Sequence, residues 1–539
     1  MRMLLSRHRL RTVAPLLPML CVIIPALVVG EVSTSHCAWP LDRCDQGRTS
    51  MAKAQGPCAP NTVYSRRYGT AEYVGPDNLT LAYGIWLLAP DGHLIWELAE
   101  GIFGVAGFDD HHFYLEYYPS QYSDWHLRSF DLEGRLLWEG PSMLRYSEFS
   151  IIQGRGIAIS NGTGLISFFS ELGELTEKIQ ATSAATTGES YYFSKPAFNS
   201  DGTAVWLQGI RYFLGRSYVK YMISSELCLD PAWIDSYATE ELKEDTVDAV
   251  AINEGGRVFF FTPRQVTAYE DAHLQTKLWQ HEFDHGWISW DMYCCDPFGG
   301  CYVVVAKERN SEVDGFDLVR LDQNGGKAWT LRLEPTGASY TGEGPICDSA
   351  GNVYLTRRGE LVSYSSEGEL RWALELGYHL LYLGPMDSRG CIYCSQWWSA
   401  PNRKRFLVGD MPPQHSRVLV KRPERLNGDV YSPGDEVVIL LQPYNFGEDE
   451  VVDGYLAVIL PNGAISYYTD AGFSASPTPW FANIYLPNSF EIIDAPVSLG
   501  VIPEGAPEGT YTIIAGFTEP GTLTPVDELF PLTFEVVGR

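Results

Sequence analysis

Residues 279–301 of this 539-residue chain, WQHEFDHGWISWDMYCCDPFGGC, contain two patterns whose residue types could do chemistry. The first, HEFDH, has the H-E-x-x-H spacing in which two histidines bind zinc and the glutamate is the general base. That chemistry needs a helix, because only there do residues i and i+4 hold one metal from a shared face. On a strand, His281 and His285 would lie roughly 13 Å apart, at about 3.3 Å per residue, which is too far for one ion. Related segments elsewhere in the chain have strand-like sequences, so we predict no metal site at His281, Glu282 and His285 and keep a zinc hydrolase only as an alternative.

The second pattern is a vicinal pair of cysteines, Cys294 and Cys295, followed by Asp296. It resembles the segment of quinoprotein alcohol dehydrogenases in which a vicinal disulfide covers the quinone ring, and this resemblance implies a cofactor site at the two cysteines. Asp296, however, fits a repeat described below, and Cys301 offers a less strained disulfide partner for either thiol. No motif of the chain matches the metal ligands of those enzymes. We therefore predict no catalytic residue and no cofactor, with a quinone (PQQ)-dependent dehydrogenase as the alternative function.

The composition indicates a turn-rich β protein with an acidic surface. Hydrophobic residues make up 45% and aromatic residues 13% of the chain, which also has 51 Gly and 33 Pro. This content supports a sizeable core and many turns. The formal net charge of −28 at pH 7 would repel phosphate backbones and anionic lipid surfaces. We predict no nucleic-acid partner and no binding to membrane surfaces.

Residues 1–30 have the pattern of an export signal. Four arginines precede or border an apolar run at residues 13–29, and the small residues Val28 and Gly30 predict cleavage before Glu31. Three prolines interrupt the run, and no later stretch is apolar for long enough to span a bilayer. Without Cys21, ten cysteines remain, an even number that suggests disulfides in an exported protein. The sequence thus predicts a secreted, periplasmic or cell-surface protein without membrane insertion after cleavage, and an uncleaved anchor is the alternative.

A turn followed four residues later by tryptophan recurs through the middle of the chain, as in DLEGRLLW and SSEGELRW. A hydrophobic strand leads into each turn and another strand leaves it. Glycine supplies the positive φ that such hairpin turns need. The four copies place this glycine and tryptophan at Gly92 and Trp96, Gly134 and Trp138, Gly325 and Trp329, and Gly368 and Trp372.

A second hairpin motif alternates with the first. CDPFGGCY, CDSAGNVY and MDSRGCIY superpose without gaps and align Asp296, Asp348 and Asp387. Two hairpins per unit give four strands, and the units recur every 39 residues (Asp348 to Asp387) to 54 residues (Asn199 to Asn253). Four-stranded sheets at this period are typical of a β-propeller, in which stacked sheets bury both of their faces.

We predict a propeller of eight blades over residues 61–412, with seven blades as the alternative. Its last unit lacks the turn-to-tryptophan hairpin, and a strand within residues 61–69 would complete that unit and close the ring. The two repeats resemble those of the PQQ-like propeller family, whose repeats have a D-x-x-x-G-x-x-x-W hairpin. The resemblance covers about 350 residues and implies the fold. It does not imply an activity, because many members of that family are non-catalytic scaffolds or binding proteins. A tryptophan at a fixed place in every blade is predicted to pack blade against blade.

Two further segments flank the predicted propeller. Residues 31–60 contain three cysteines among small polar residues and are predicted to be a linker. Residues 413–539 follow a Pro-rich junction and have short alternating strands with Gly and Pro turns, which predicts an immunoglobulin-like β-sandwich.

The sequence as a whole predicts an exported all-β protein that binds a protein or glycan partner through one propeller face. A structural surface or adhesion component is a further alternative. The resemblance to the PQQ-like family supports the fold more than any activity.

Overall fold

The computed structural model describes residues 51–538, except 68–70, 83–85, 98–101, 119–124, 144–147, 153–155, 161–164, 181–189, 194–196, 199–204, 208, 214–215, 219–220, 224–248, 254, 271–275, 285–286, 310–311, 334–343, 358, 377–380, 397–403, 411–414, 416, 422–429, 489, 493–494, 528 and 530. The described residues fall into two units, one within residues 35–413 and one within residues 414–539. Each unit is described by itself.

The first part of the larger unit consists of antiparallel strands that pair with their neighbours in the chain. Strand β1 is Asn61–Arg67. Sheet 1 contains β2–β5 (Ala71–Val74, Thr80–Ala82, Trp86–Leu88, Leu94–Glu97), sheet 2 contains β6–β9 (Ile102–Phe108, His112–Tyr118, Trp125–Asp131, Leu136–Met143), and sheet 3 contains β10–β13 (Glu148–Ile152, Gly156–Ser160, Leu165–Phe169, Leu175–Gln180). A short 3-10 turn, Pro76–Asn78, lies between β2 and β3.

The next strands depart from this pattern. Strands β14–β19 are Ser190–Phe193, Ala197–Phe198, Val205–Leu207, Gly209–Phe213, Arg216–Tyr218 and Tyr221–Ile223. They pair as two three-stranded sheets, in the orders β14-β17-β18 and β15-β16-β19.

Regular four-stranded sheets then resume. Sheet 4 contains β20–β23 (Ala249–Ile252, Val258–Phe261, Gln265–Tyr269, Lys277–Glu282), sheet 5 contains β24–β27 (Trp287–Cys295, Cys301–Arg309, Glu312–Leu321, Lys327–Leu333), sheet 6 contains β28–β31 (Ile346–Cys347, Val353–Arg357, Glu360–Tyr364, Leu370–Glu375), and sheet 7 contains β32–β34 (Leu381–Met386, Ile392–Gln396, Lys404–Gly409) together with β1.

The fourth strand of sheet 7 comes from the other end of the unit, as predicted from the missing hairpin. Strand β1 pairs antiparallel with β34, from Asn61 opposite Gly409 to Arg67 opposite Lys404. Residues more than 300 positions apart therefore complete one sheet. The pairing covers an edge strand that would otherwise expose its backbone N–H and C=O groups.

Most hydrophobic clusters among the described residues of this unit lie between consecutive sheets. One cluster joins Phe259 of sheet 4 to Tyr293 of sheet 5, and another joins Tyr302 of sheet 5 to Cys347 of sheet 6. The first strands of neighbouring sheets also contact each other, including β32 with β2, β2 with β6, and β24 with β28. Sheets that stack face to face with their first strands together form a β-propeller, the fold predicted from the repeats.

The smaller unit contains two sheets that enclose one core. Its strands are β35–β45 (Arg417–Lys421, Val430–Tyr431, Glu436–Asn445, Glu450–Ile459, Ile465–Thr469, Gly472–Ser474, Phe481–Leu486, Phe490–Glu491, Ala495–Val501, Gly509–Thr518, Leu532–Val536). One sheet is built on β37 with β35, β42 and β43, and the other is built on β38 and β44. Ile439 and Leu441 of the first sheet pack with Leu456 and Ile513 of the second. This unit is therefore a two-layer β-sandwich.

Candidate functional site

The two repeated turns lie at the same edge of each sheet. In an antiparallel four-stranded sheet, the turn between strands one and two and the turn between strands three and four share one edge. The connection between strands two and three and the connection to the next sheet leave from the opposite edge. We call these edges the turn face, which includes Asp296 and Asp348, and the loop face, which includes Arg357 and Glu360.

The aspartates of the second motif are buried and organise the turns that contain them. Oδ1 of Asp296 accepts hydrogen bonds from the backbone N–H groups of Phe298 (2.9 Å) and Gly300 (2.7 Å). Its Oδ2 faces the guanidinium group of Arg320 at 3.1 Å. The carboxylate is therefore occupied by its own turn and by one cation of the same sheet.

Asp387 has the same arrangement in sheet 7. Its Oδ1 accepts from the backbone N–H groups of Arg389 and Cys391, both at 2.9 Å. Its Oδ2 pairs with the Arg389 guanidinium group at 2.5 Å. Each turn also has a glycine in the left-handed region, for example Gly351 with φ of 80°, where a side chain would be strained.

Asp348 differs from the other two because its second oxygen bonds to another part of the chain. Its Oδ1 accepts from the backbone N–H groups of Ala350 and Asn352. Its Oδ2 accepts from the Asn352 side chain (2.9 Å), the Tyr354 hydroxyl (2.7 Å) and the backbone N–H of Gly56 (2.9 Å). The side chain of Asp348 is fully buried. Five donors therefore stabilise one buried carboxylate.

The repeated tryptophans contact the turn of the following sheet. The indole N–H of Trp138 donates to the Glu171 carbonyl of sheet 3 (2.8 Å), and that of Trp329 donates to the Ser366 carbonyl of sheet 6 (2.7 Å). The turn glycine of that next sheet lies under the ring, and a Cβ added at Gly368 would be 2.9 Å from Trp329. Trp96 lies in the same way against Gly134. These contacts join one sheet to the next.

Trp372 uses a different acceptor, because sheet 7 has no turn of the first type. Its indole N–H donates to the backbone carbonyl of Pro57, at 2.8 Å and 315 residues away in sequence. The backbone N–H groups of Cys58 and Ala59 donate to the Asp410 carboxylate. Residues 51–60, which the sequence predicts to be a linker, thus take the place of the missing turn. The absence of that hairpin from the last repeat was the sequence signal for a substitute.

The segment that contains His281 and Glu282 is a strand, as the sequence predicts. Lys277–Glu282 form the last strand of sheet 4, and Nδ1 of His281 is 3.1 Å from the Gly325 carbonyl of sheet 5. His285 lies outside the described residues. No group of three or more His, Cys, Asp or Glu side chains suited to a metal ion occurs among the residues that the structure describes.

Cys294 and Cys295 are consecutive residues of β24, so their side chains point to opposite faces of sheet 5. Cys294 packs in the cluster with sheet 6, and Cys295 packs in the cluster with sheet 4. Both are completely buried. The seven cysteines that the structure describes are present as thiols. This geometry gives the pair no exposed surface on which to cover a cofactor.

Several buried tyrosines are held in the neutral form by their surroundings. Burial raises the pKa of Tyr302 and of Tyr354 well above the ordinary value, and the neighbouring Asp348 carboxylate raises that of Tyr354 further. Tyr302 donates to the Gly351 carbonyl of sheet 6 at 2.6 Å. These hydroxyl groups are therefore structural donors at neutral pH.

Charged side chains toward the loop face pair with each other in ways that the repeat pattern does not predict. Asp317 is buried and contacts the Lys307 ammonium group at 2.6 Å and the Arg332 guanidinium group at 3.3 Å. Arg357 and Glu360 are 3.2 Å apart across the connection between β29 and β30. Lys307 and Arg332 are each more than 40% exposed. Their positions vary from sheet to sheet, so no periodic sequence signal marks them.

Further charged and aromatic groups of the loop face lie on sheet 2. The Arg128 guanidinium group is 3.5 Å from the centre of the Tyr117 ring and 2.8 Å from the Glu139 carboxylate. His126 is 3.3 Å from the same carboxylate. Such combinations of aromatic rings and partly exposed charges are common at binding surfaces.

No protein-family model matches this chain, and no curated protein matches it in sequence. Solved structures with a similar fold include BamB from Moraxella catarrhalis, with 14% identity and a TM-score of 0.42 over 65% of this chain and 99% of that chain. The β-propeller domain of Cps50 (Swd1) from Myceliophteria thermophila has 12% identity and a TM-score of 0.35 over 57% and 97% of the two chains. The Dos1 propeller has 10% identity and a TM-score of 0.36 over 70% and 96%.

Among the described residues, no helix has the length and apolar character that crossing a membrane requires.

Proposed function

We propose that this chain is an exported, non-catalytic binding protein whose propeller uses its loop face to bind a protein or a glycan. The observation that supports this proposal is the difference between the two faces. At the turn face, the carboxylates of the second motif are buried and engaged by backbone N–H groups of their own turns and by neighbouring donors. At the loop face, charged and aromatic side chains differ from sheet to sheet and are partly exposed, and loops on a rigid scaffold are where proteins place binding residues.

The acidic composition restricts the partner. A formal net charge of −28 favours a neutral or basic partner and disfavours nucleic acid. The cations of the loop face, such as Lys307 and Arg332, are paired with acids within their own sheet. An uncharged glycan or a basic protein surface fits this arrangement.

We further propose an eight-bladed propeller of the PQQ-like family over residues 61–412. The seven four-stranded sheets would form seven blades, and β15, β16 and β19 would provide the remaining one. The contact of β15 with the first strand of sheet 4 supports this assignment, because first strands of neighbouring blades meet in the same way elsewhere.

The proposed domain plan also includes the flanking segments. Residues 1–30 would be a cleaved export signal, residues 31–60 a linker whose last ten residues attach to the propeller, and residues 413–539 an immunoglobulin-like sandwich. The sandwich would position the propeller or dock the protein at a surface. The predicted localisation is secreted, periplasmic or cell-surface.

The test is a comparison of matched variants on the two faces. The mature chain would be immobilised and exposed by biolayer interferometry to a panel of purified extracellular polysaccharides and to the secreted proteins of its source. The loop-face variant Glu139→Ala with Glu360→Ala should weaken a bound partner about tenfold or more, which is a loss of roughly 1.4 kcal/mol. The turn-face control Glu133→Ala with Glu367→Ala removes the same charges and should leave binding unchanged. Loss of binding in the control alone would contradict the assignment of the face.

A second measurement separates binding from catalysis. The mature protein would be incubated with excess Zn²⁺ and Ca²⁺ and dialysed, and its metal content would be measured by elemental mass spectrometry. Stoichiometric zinc that is lost in His281→Ala would support the zinc hydrolase and contradict the proposal. Retained calcium with alcohol oxidation after addition of the quinone would support the dehydrogenase.

A further inference from the structure

The repeat geometry determines which residues of neighbouring sheets contact each other on the first strands, just before the aspartate of the second motif. The residue one position before the motif aspartate and the residue two positions before it are consecutive on the first strand, so they face opposite neighbours. Cys295, one position before Asp296, packs with Ala251 of sheet 4. Ala251 itself stands two positions before Asn253, which is the equivalent residue of the aspartate in sheet 4. The second-position residue of one blade therefore meets the first-position residue of the next.

Sheets 1 and 2 follow the same rule. Tyr73 stands two positions before Gly75 in the turn of sheet 1, and it packs with Phe108, which stands one position before Asp109 in sheet 2. In these two places the meeting residues are alanine with cysteine and tyrosine with phenylalanine. The rule thus holds for ordinary packing residues and does not depend on cysteine.

Between sheets 5 and 6 the same rule brings two cysteines together. Cys294 stands two positions before Asp296, and Cys347 stands one position before Asp348. Their side chains lie in one cluster of buried residues that joins the two sheets. Both are completely buried. The first strands that carry them, β24 and β28, are in contact.

The N-terminal segment joins the larger unit at the same point. Met51 forms a parallel bridge with Cys347, and the backbone N–H of Ala52 donates to the Cys347 carbonyl at 2.7 Å. Gly56 donates to the Asp348 carboxylate. A covalent bond at Cys347 would fix sheet 5 to the strand on which this segment docks.

We propose that Cys294 and Cys347, which are unbonded thiols in this structure, form a disulfide between sheets 5 and 6 in the oxidising environment of the proposed export. The bond forms during folding, as the two thiols lose two protons and two electrons to a disulfide oxidant such as oxidised glutathione, which is released as two thiols. After folding, burial of both sulfur atoms blocks attack by external thiols. The cysteine that neighbours Cys294 in sequence is excluded as its partner, because Cys295 points to the other face of the strand.

Cys301 is the rival partner that the sequence leaves open. It lies directly opposite Cys295 in the register of β24 and β25, and both pack toward sheet 4. Cys301 is therefore placed to pair with Cys295 and not with Cys294. The proposal predicts one linkage for Cys294 and rules out two others.

The test is disulfide mapping of the full mature chain, refolded from the reduced state in a glutathione redox buffer. Remaining thiols would be blocked with N-ethylmaleimide in denaturant, and the protein would be digested and analysed by mass spectrometry. Because Cys294 and Cys295 share a peptide, the wild type would be compared with Cys295→Ala. The expected result in both proteins is a peptide that links Cys294 to Cys347. Alkylation of both residues, or linkage of Cys294 to any other cysteine, would overturn the proposal.

A stability measurement provides an independent readout. Reductant present during thermal unfolding should lower the Tm of the wild type by about 5 °C, because the unfolded chain exposes the bond to reduction and the long loop that it closes is then released. The double variant Cys294→Ala with Cys347→Ala should show no such response. An equal response of wild type and double variant would contradict the assignment. Neither readout depends on the identity of the binding partner.

Discussion

Replacement of Asp348 by asparagine tests whether the buried carboxylate connects the N-terminal segment to the propeller. Asparagine has the same shape, so it keeps one oxygen for the backbone N–H groups of Ala350 and Asn352. Its amide NH₂ would replace Oδ2, which accepts from Gly56, the Asn352 side chain and Tyr354. The Tyr354 hydroxyl can rotate and the Asn352 amide can flip, so that each accepts instead of donating, but the backbone N–H of Gly56 is a donor only.

The magnitude follows from that one donor. A buried donor that loses its acceptor costs about 1–3 kcal/mol, and removal of a buried charge recovers part of this cost. We therefore expect Asp348→Asn to lower the free energy of unfolding of the propeller by about 2 kcal/mol. The control is Asp322→Asn in the more exposed turn of sheet 5. Its Oδ1 accepts from the backbone N–H groups of Asn324 and Gly326, and asparagine keeps that oxygen, so we expect a loss of about 0.5 kcal/mol or less.

The assay combines global and local measurements. Urea unfolding monitored by tryptophan fluorescence gives the stability difference, and hydrogen exchange gives the protection of the Gly56 amide. In Asp348→Asn the Gly56 amide should exchange faster even under native conditions, because its acceptor is lost. Equal destabilisation by the two variants, with unchanged exchange at Gly56, would refute the reasoning.

Three further predictions concern the sheet contacts, the chain closure and the thiols. Trp329→Phe should lower the free energy of unfolding by about 1 kcal/mol because it removes the donor to Ser366, and Trp329→Ala should lower it by about 3 kcal/mol because it also removes the ring. Urea unfolding measures both differences, with a substitution at an exposed neighbour, Thr330→Ala, as the control. Deletion of residues 51–67 removes β1 and the acceptor of Trp372, and it leaves the edge of β34 unpaired. We expect faster hydrogen exchange in β34 and self-association of the shortened chain in analytical ultracentrifugation. A monomer with unchanged exchange would contradict the closure. Burial raises the pKa of Cys391 to about 12, so the folded thiol stays protonated at pH values where the unfolded one ionises, and the free energy of unfolding should fall as the pH rises from about 9 toward 12. Folded protein treated with a thiol reagent at pH 8 should react at the exposed Cys58 before it reacts at Cys391. Preferential reaction at Cys391 would contradict the burial.

Much of the propeller is predictable because its repeats depend on local chemistry. A glycine at positive φ, an aspartate that accepts from the backbone of its own turn and alternating strands on either side all involve residues within about ten positions. The strand at Lys277–Glu282 was predictable for the same reason, since its neighbours in other repeats are strands as well. Strands β14–β19 depart from the pattern where the sequence copies of the motifs are weakest.

The closure and the cysteine arrangement needed the tertiary structure. The sequence shows that the last repeat lacks a hairpin, and it predicts the strand that became β1. It gives no sign that the Pro57 carbonyl would accept from Trp372, because the two residues are 315 positions apart. The charged groups of the loop face were likewise not predictable, since their pairing depends on cross-strand register.

The sequence by itself determined the repeat period, the turn positions and the all-β character, since these follow from backbone conformation and side-chain alternation. Only the tertiary structure decided the surroundings of the residues that suggested chemistry. Cys294 and Cys295 look like a pair in the sequence, but a strand directs them into two different interfaces. The reason is physical: a strand alternates its side chains, and the sheets stacked on each side determine what each side chain meets.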